Sequence, residues 1–61
     1  MAKRMIVIYD RDNDRYFIGW NGESPLWSDE ISGKAQQHSR NQADDNYELL
    51  KQLGFNVEVR G

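Results

Sequence analysis

Two tryptophans, Trp20 and Trp27, bracket the segment Asn21-Gly22-Glu23-Ser24-Pro25-Leu26. Asn-Gly and Ser-Pro are turn dipeptides, so the chain must leave one apolar strand and reverse sharply. It then returns a second large ring to the same neighbourhood. An indole is costly to leave idle in water, and aromatic rings dominate burial in very small domains. This spacing therefore constrains the fold strongly, while saying little about chemistry.

The 61 residues contain no cysteine. A chain this short forms one domain and buries only about 60% of its unfolded surface. It has neither a disulfide framework nor a thiolate zinc site, which suits a reducing compartment. The opening Met1-Ala2-Lys3-Arg4-Met5-Ile6-Val7-Ile8-Tyr9 carries two basic residues and a short apolar run that ends at Asp10. That run is too short for a signal peptide, and no stretch approaches the roughly 20 apolar residues of a membrane span. The expectation is a soluble cytoplasmic protein with no membrane partner.

Ten acidic and eight basic residues give a net charge of −2. Lys3, Arg4, Arg11, Arg15, Lys34, Arg40, Lys51 and Arg60 are scattered along the chain. Binding to a phosphate backbone normally needs a basic face, so general nucleic-acid affinity is not expected.

Met5 to Tyr9 reads as a central strand buried on both faces. Asp10-Arg11-Asp12-Asn13-Asp14 is a polar turn, and Arg15 to Trp20 an aromatic strand that completes a hairpin. Strict alternation on that strand points Tyr16, Ile18 and Trp20 one way, and Phe17 and Gly19 the other. Gly19 inside a strand signals a bulge or a close backbone approach. Between residues 21 and 38 the pattern weakens. Pro25 argues against a ladder, and Leu26-Trp27 reads as an apolar plug. Ser28 to Ile31 reads as one helical turn capped by Ser28 and ended by Ser32-Gly33. Lys34 to His38 reads as extended or as a short edge strand.

Ser39-Arg40-Asn41-Gln42 fits a capping box, with a helix running from it to about Leu53. Ala43, Tyr47 (or Asn46), Leu50 and Leu53 form its apolar stripe. Asp44 and Asp45 are expected near its positive dipole end and Lys51 near the negative end. Gly54 and Phe55 then form a Schellman ending. Phe55-Asn56-Val57-Glu58-Val59-Arg60 alternates as a strand with one wet face.

No pattern of residues carries catalysis. Asp10-x-Asp12-x-Asp14 resembles the start of a calcium loop, but Arg15 and Asn21 stand where such a loop needs Gly and a bidentate Glu. His38 is the only imidazole; it lacks triad or metal-ligand spacing and reads as a residue stapling the start of the helix. Asn21-Gly22 and Gly33 lack the strand-loop-helix context of a phosphate cradle. No cofactor, metal or catalytic residue is expected. Asp44, Asp45 and Glu48 place acid on one side of the helix. That is either dipole complementation or a patch for a basic partner. Trp27 is expected to cap the core. Trp20, ending a strand beside a turn with Asn21, reads equally as core or as an exposed interface anchor.

The run Tyr16-Phe17-Ile18-Gly19-Trp20-Asn21-Gly22 is followed by Pro25-Leu26-Trp27-Ser28-Asp29. Next come Ala35-x-x-His38-Ser39-x-x-x-Ala43 and Leu49-Leu50-x-x-Leu53-Gly54. Together they resemble a loose class of short proteins encoded by bacteriophages and prophages, in which His38 is usually Phe. The resemblance implies a small accessory protein in a bacterial cytoplasm that acts by binding host or phage proteins. It implies no catalytic residues.

The expected fold is α+β: a three-stranded, mainly antiparallel sheet with one helix on one face, in the order β-β-(turn)-α-β. A short fourth strand fits between residues 24 and 38. The expected core is Ile6, Ile8, Phe17 or Tyr16, Ile18, Leu26, Trp27, Ala43, Leu50, Leu53, Phe55, Val57 and Val59. The expected role is non-enzymatic binding and modulation of a larger host or phage protein, with Trp20, Asn21, Asp44, Asp45 and Glu48 as the partner-binding residues. The alternative is a nucleic-acid-binding regulator that gathers Lys3, Arg4, Arg11, Arg15 and Arg60 on a sheet face, with Tyr16 or Trp20 stacking on bases. The chain is expected to be a monomer or a weak homodimer formed across an exposed strand.

Overall fold

Four strands and one helix make up the chain: β1 (Val7–Asp10), β2 (Arg15–Asn21), β3 (Ser24–Ser28), α1 (Arg40–Gln52) and β4 (Val57–Arg60). The computed structural model describes residues 6–31, 33, 35–37 and 39–61. Met5, Ser32, Lys34 and His38, and with them Lys3 and Arg4, lie outside the described residues. The sheet order is β3-β2-β1-β4, and every neighbouring pair is antiparallel. The fold is therefore α+β in the order β-β-β-α-β, and the fourth strand is β3.

Central β1 is buried on both faces, as its unbroken apolar run requires: Val7 and Ile8 point to opposite sides and both are buried. Ile8 joins Phe17, Leu50 and Val57 in the core between sheet and helix. Each such side chain contributes about 1.5–3 kcal/mol by leaving water. Trp20, Trp27, Tyr47, Phe55 and Val59 close the rim of this cluster.

The β2–β3 hairpin differs from the sequence reading at Pro25 and in the direction of Trp20, while the bulge signalled at Gly19 is present. Pro25 does not prevent a ladder, because β3 is an edge strand and Pro25 sits in it opposite Trp20; at an edge a missing N–H is tolerated. The register also slips between Phe17 and Gly19. Phe17 faces Trp27, yet Gly19 faces Leu26, so Ile18 is the extra residue of a bulge. Beyond the bulge, alternation restarts in the opposite phase. Trp20 therefore returns to the face of Phe17, with ring centroids 5.1 Å apart and nearly perpendicular planes. Gly19 takes φ +153, which side chains other than glycine rarely adopt.

Other expectations shift as well. Leu26 is 43% exposed: its neighbour Trp27 faces Phe17, and strand alternation turns Leu26 the other way. Residues 28–31 form no helical turn; Ser28 ends β3 and its Oγ accepts from the Glu30 amide at 3.3 Å. In the segment before the helix no described residue is in a strand, but the Gln37 amide donates to the Ile6 carbonyl at 2.8 Å. That bond holds buried Ala35 and Gln37 against the start of β1.

At the helix start, Ser39 Oγ accepts from the Gln42 amide at 3.2 Å. The helix ends in a Schellman motif, with Gly54 N–H bonded to Lys51 O at 3.0 Å and Phe55 N–H to Leu50 O at 3.1 Å. Gly54 carries φ +97, the left-handed turn that makes both bonds reachable. Leu53 is the C-cap and not a core residue; it is 54% exposed. The first turn holds no acid, so Asp44 and Asp45 lie in the second turn, where the dipole's pull has faded. Among the described residues no helix is long and apolar enough to cross a membrane.

Candidate functional site

With 3.6 residues per turn, α1 carries three stripes along its length. Ala43, Tyr47 and Leu50 form the core stripe, with Ala43 and Leu50 fully buried. Gln42, Asn46, Leu49 and Leu53 form a second stripe beside it. Asp44, Glu48 and Lys51 form a third on the other side. The second stripe faces the β2–β3 hairpin, because Trp20 Nε1 donates to Asn46 Oδ1 at 3.0 Å.

Between that stripe and the hairpin tip lies an open groove of about 520 Å³, lined by Trp20, Gly22, Glu23, Leu49, Gln52 and Leu53. Leu49 is 47% exposed, close to the value for Leu53. The groove thus presents two half-exposed leucines beside an indole whose polar end is already bonded. Asn46 in turn donates through Nδ2 to Gln37 Oε1 at 2.7 Å, and Gln37 Nε2 donates to the Ala35 carbonyl at 3.2 Å. This chain of amides fixes the ring's orientation and leaves its apolar surface as the groove wall.

The expected site residues are only partly brought together. Trp20 is half-buried in the groove wall, and Asn21, exposed, follows it at the end of β2 opposite Ser24. Asp45 is exposed on the outward side of α1 near Gln52. Asp44 and Glu48 belong to the stripe turned away from Trp20, alongside Lys51. The acids therefore do not form one surface with the indole. Leu49 and Leu53 were the residues missed. Their i, i+4 spacing beside a core stripe already complete at Leu50 was the available signal.

No protein-family model matches the chain, and no curated protein or solved structure does either.

The opposite face of the sheet bears on the nucleic-acid alternative. Tyr9 and Tyr16 lie side by side there with centroids 5.3 Å apart, and the Arg60 guanidinium sits 3.8 Å over the Tyr9 ring. Arg11 and Arg60 both bond Glu58 Oε1, at 3.2 and 3.3 Å. The bonds from Arg11 hold the Glu58 carboxyl below its ordinary value against a smaller upward push from burial, and Arg60 adds to them. Tyr9 donates its hydroxyl to Asp14, and chiefly that bond raises its pKa. Arg15 is on the helix-bearing face, over Trp27 at 4.4 Å. The arginines are thus divided between two faces, and the pair that shares one is partly neutralised by Glu58.

The acidic turn forms a closed network. Asp10 is 1% exposed. It accepts from the Asp12 amide at 3.1 Å, Asn13 Nδ2 at 3.1 Å and Arg15 Nε at 2.8 Å. Burial pushes its pKa up, but these donors outweigh it and the net shift is downward. Asp10 is thus committed to the turn, while Asp14 accepts from Tyr9. Among the described residues no group of three or more His, Cys, Asp or Glu could hold a metal ion.

Proposed function

We propose that this chain is a non-enzymatic binding module of phage type, working in a bacterial cytoplasm, that docks on a larger host or phage protein and modulates it. The observation that carries the reading is the groove of Trp20, Leu49 and Leu53, where apolar side chains stay half-exposed beside a ring of fixed orientation. Large, pre-oriented aromatic rings make strong interface anchors because little side-chain entropy remains to be lost on docking.

Trp20 alone is a poor probe of this role. It packs on Phe17 and bonds Asn46, so Trp20→Ala costs folding as well as binding. The double variant Leu49→Gln, Leu53→Gln separates the two. Gln keeps helix propensity, and half-exposed positions contribute modestly to stability. The test is capture of a protein partner from nuclease-treated bacterial lysate, with thermal unfolding as control. Retention by wild type and loss by the double variant at nearly unchanged melting temperature is the expected result. Equal capture by both sinks the groove reading.

A nucleic-acid partner is the second reading, favoured by the adjacent Tyr9 and Tyr16 rings and by Arg60 over Tyr9. It predicts that every captured partner disappears on nuclease treatment and that binding falls steeply with salt.

A further inference from the structure

The sheet ends on β4, and among the described residues no strand pairs with its outer edge. Which backbone groups face that edge follows from one bond. Asp10 lies opposite Val57, so Arg11 lies opposite Asn56, and the Arg11 amide donates to the Asn56 carbonyl at 3.0 Å. Opposed pairs in an antiparallel ladder alternate between bonded and non-bonded. Glu58 and Arg60 therefore turn their backbone groups toward β1, and Val57 and Val59 turn theirs outward. β4 carries no Pro and no Lys, two common protections of an edge; its protections are its four-residue length and the charges of Glu58 and Arg60.

We infer that β4 pairs antiparallel with β4 of a second copy of this chain, about a two-fold axis at Val59. In that register Val59 faces Val59 of the second copy, and Val57 faces Gly61. All of these are positions with outward backbone groups. Glu58 then lies opposite Arg60 of the second copy, and Arg60 opposite Glu58. They fall at the narrow, non-bonded positions, where opposed side chains are closest and opposite charges stabilise. The two neighbouring registers that keep the backbone bonds, centred on Glu58 or on Arg60, set like charges directly opposite each other. Of these three registers, charge selects the one centred on Val59; a register centred on Val57 would need the Phe55 N–H, which already donates to Leu50 O.

The two-fold axis stands perpendicular to the sheet, so both helices lie on the same side of one continuous eight-stranded sheet. Val59 is half-buried and packs on the core; the second copy covers it further. The Trp20 groove borders the β2–β3 hairpin, at the opposite end of the sheet, so the dimer leaves it open. The inference does not depend on what the groove binds. Its area is that of one strand edge, so the association is weak.

Sedimentation from roughly 10 µM to 1 mM brackets weak association of this kind. Wild type is expected to shift from monomer toward dimer across the range. Glu58→Arg and Arg60→Glu are each expected to stay monomeric, because each sets like charges opposite one another. An equimolar mixture of the two is expected to dimerise, since every opposed pair is again of opposite charge. Circular dichroism checks that both variants fold. A wild type that stays monomeric, or a mixture of folded variants that does, overturns the proposal. Hydrogen exchange on wild type is independent of the variants: protection of the Val57 and Val59 amides should rise with protein concentration. Exchange at those amides that is indifferent to concentration also overturns it.

Discussion

Trp20 donates its indole N–H to Asn46 Oδ1 at 3.0 Å, and this bond ties the end of β2 to the middle of α1. It spans 26 positions in the chain and continues through Asn46 to Gln37. One side chain thus holds together the groove wall, the helix and the segment that leads into the helix.

Asn46→Ala removes both bonds at once. The half-buried indole N–H and the buried Gln37 Oε1 each lose a partner, at about 1–3 kcal/mol in total. Chemical denaturation should show this loss. Exchange of the Trp20 indole proton should quicken by NMR, while that of Trp27 changes little.

Asp10→Ala strips three donors of their acceptor. Arg15 is part-exposed and its guanidinium can turn to water, so the expected loss is about 2 kcal/mol rather than that of a stranded buried charge. The wild-type pH dependence has a definite sign. Asp10 and Glu58 have pKa values lowered by folding, so their stabilisation is full above the ordinary carboxylate range. It is lost as pH falls below about 4 and the folded forms take up protons. Unfolding midpoints measured between neutral and acidic pH should fall in that window, and less steeply for Asp10→Ala.

Gly19→Ala tests the bulge. An added Cβ meets nothing within 4 Å, so its penalty is conformational, from φ +153 alone. The expected cost is about 1–3 kcal/mol. If the variant instead re-registers to regular pairing, Trp20 turns to the other face. The nuclear Overhauser contacts between the Phe17 and Trp20 rings then vanish.

Ser39→Ala removes the acceptor for the Gln42 amide. A lost N-cap costs about 1 kcal/mol. Thermal unfolding should register it, and Ser39→Asp should restore most of the stability.

The locally coded parts of this fold were legible. The Ser39 cap, the Gly54-Phe55 Schellman ending, the buried run of β1 and the alternation of Val57 and Val59 all follow from near neighbours. The site was less so. Leu53 sits at helical spacing from Leu50, and the pattern alone cannot say that the sheet ends before reaching it. Nothing local to α1 says which of its sides meets the β2–β3 hairpin, so its sequence alone does not separate Asp44 and Glu48 from Trp20.

By itself, the sequence determined the strands around Ile8, Phe17 and Val57, where α1 starts and stops, and that Gly19 marks a bulge or a close backbone approach in β2. These depend on backbone preferences and on hydrophobic period, which act over a few residues. Only the tertiary structure decided that Trp20 shares a face with Phe17, that Asp10 is buried, and that Leu49 and Leu53 border an open groove. A one-residue slip at Ile18 inverts every side chain beyond it, and what fills the space on either face is set by groups distant in the chain.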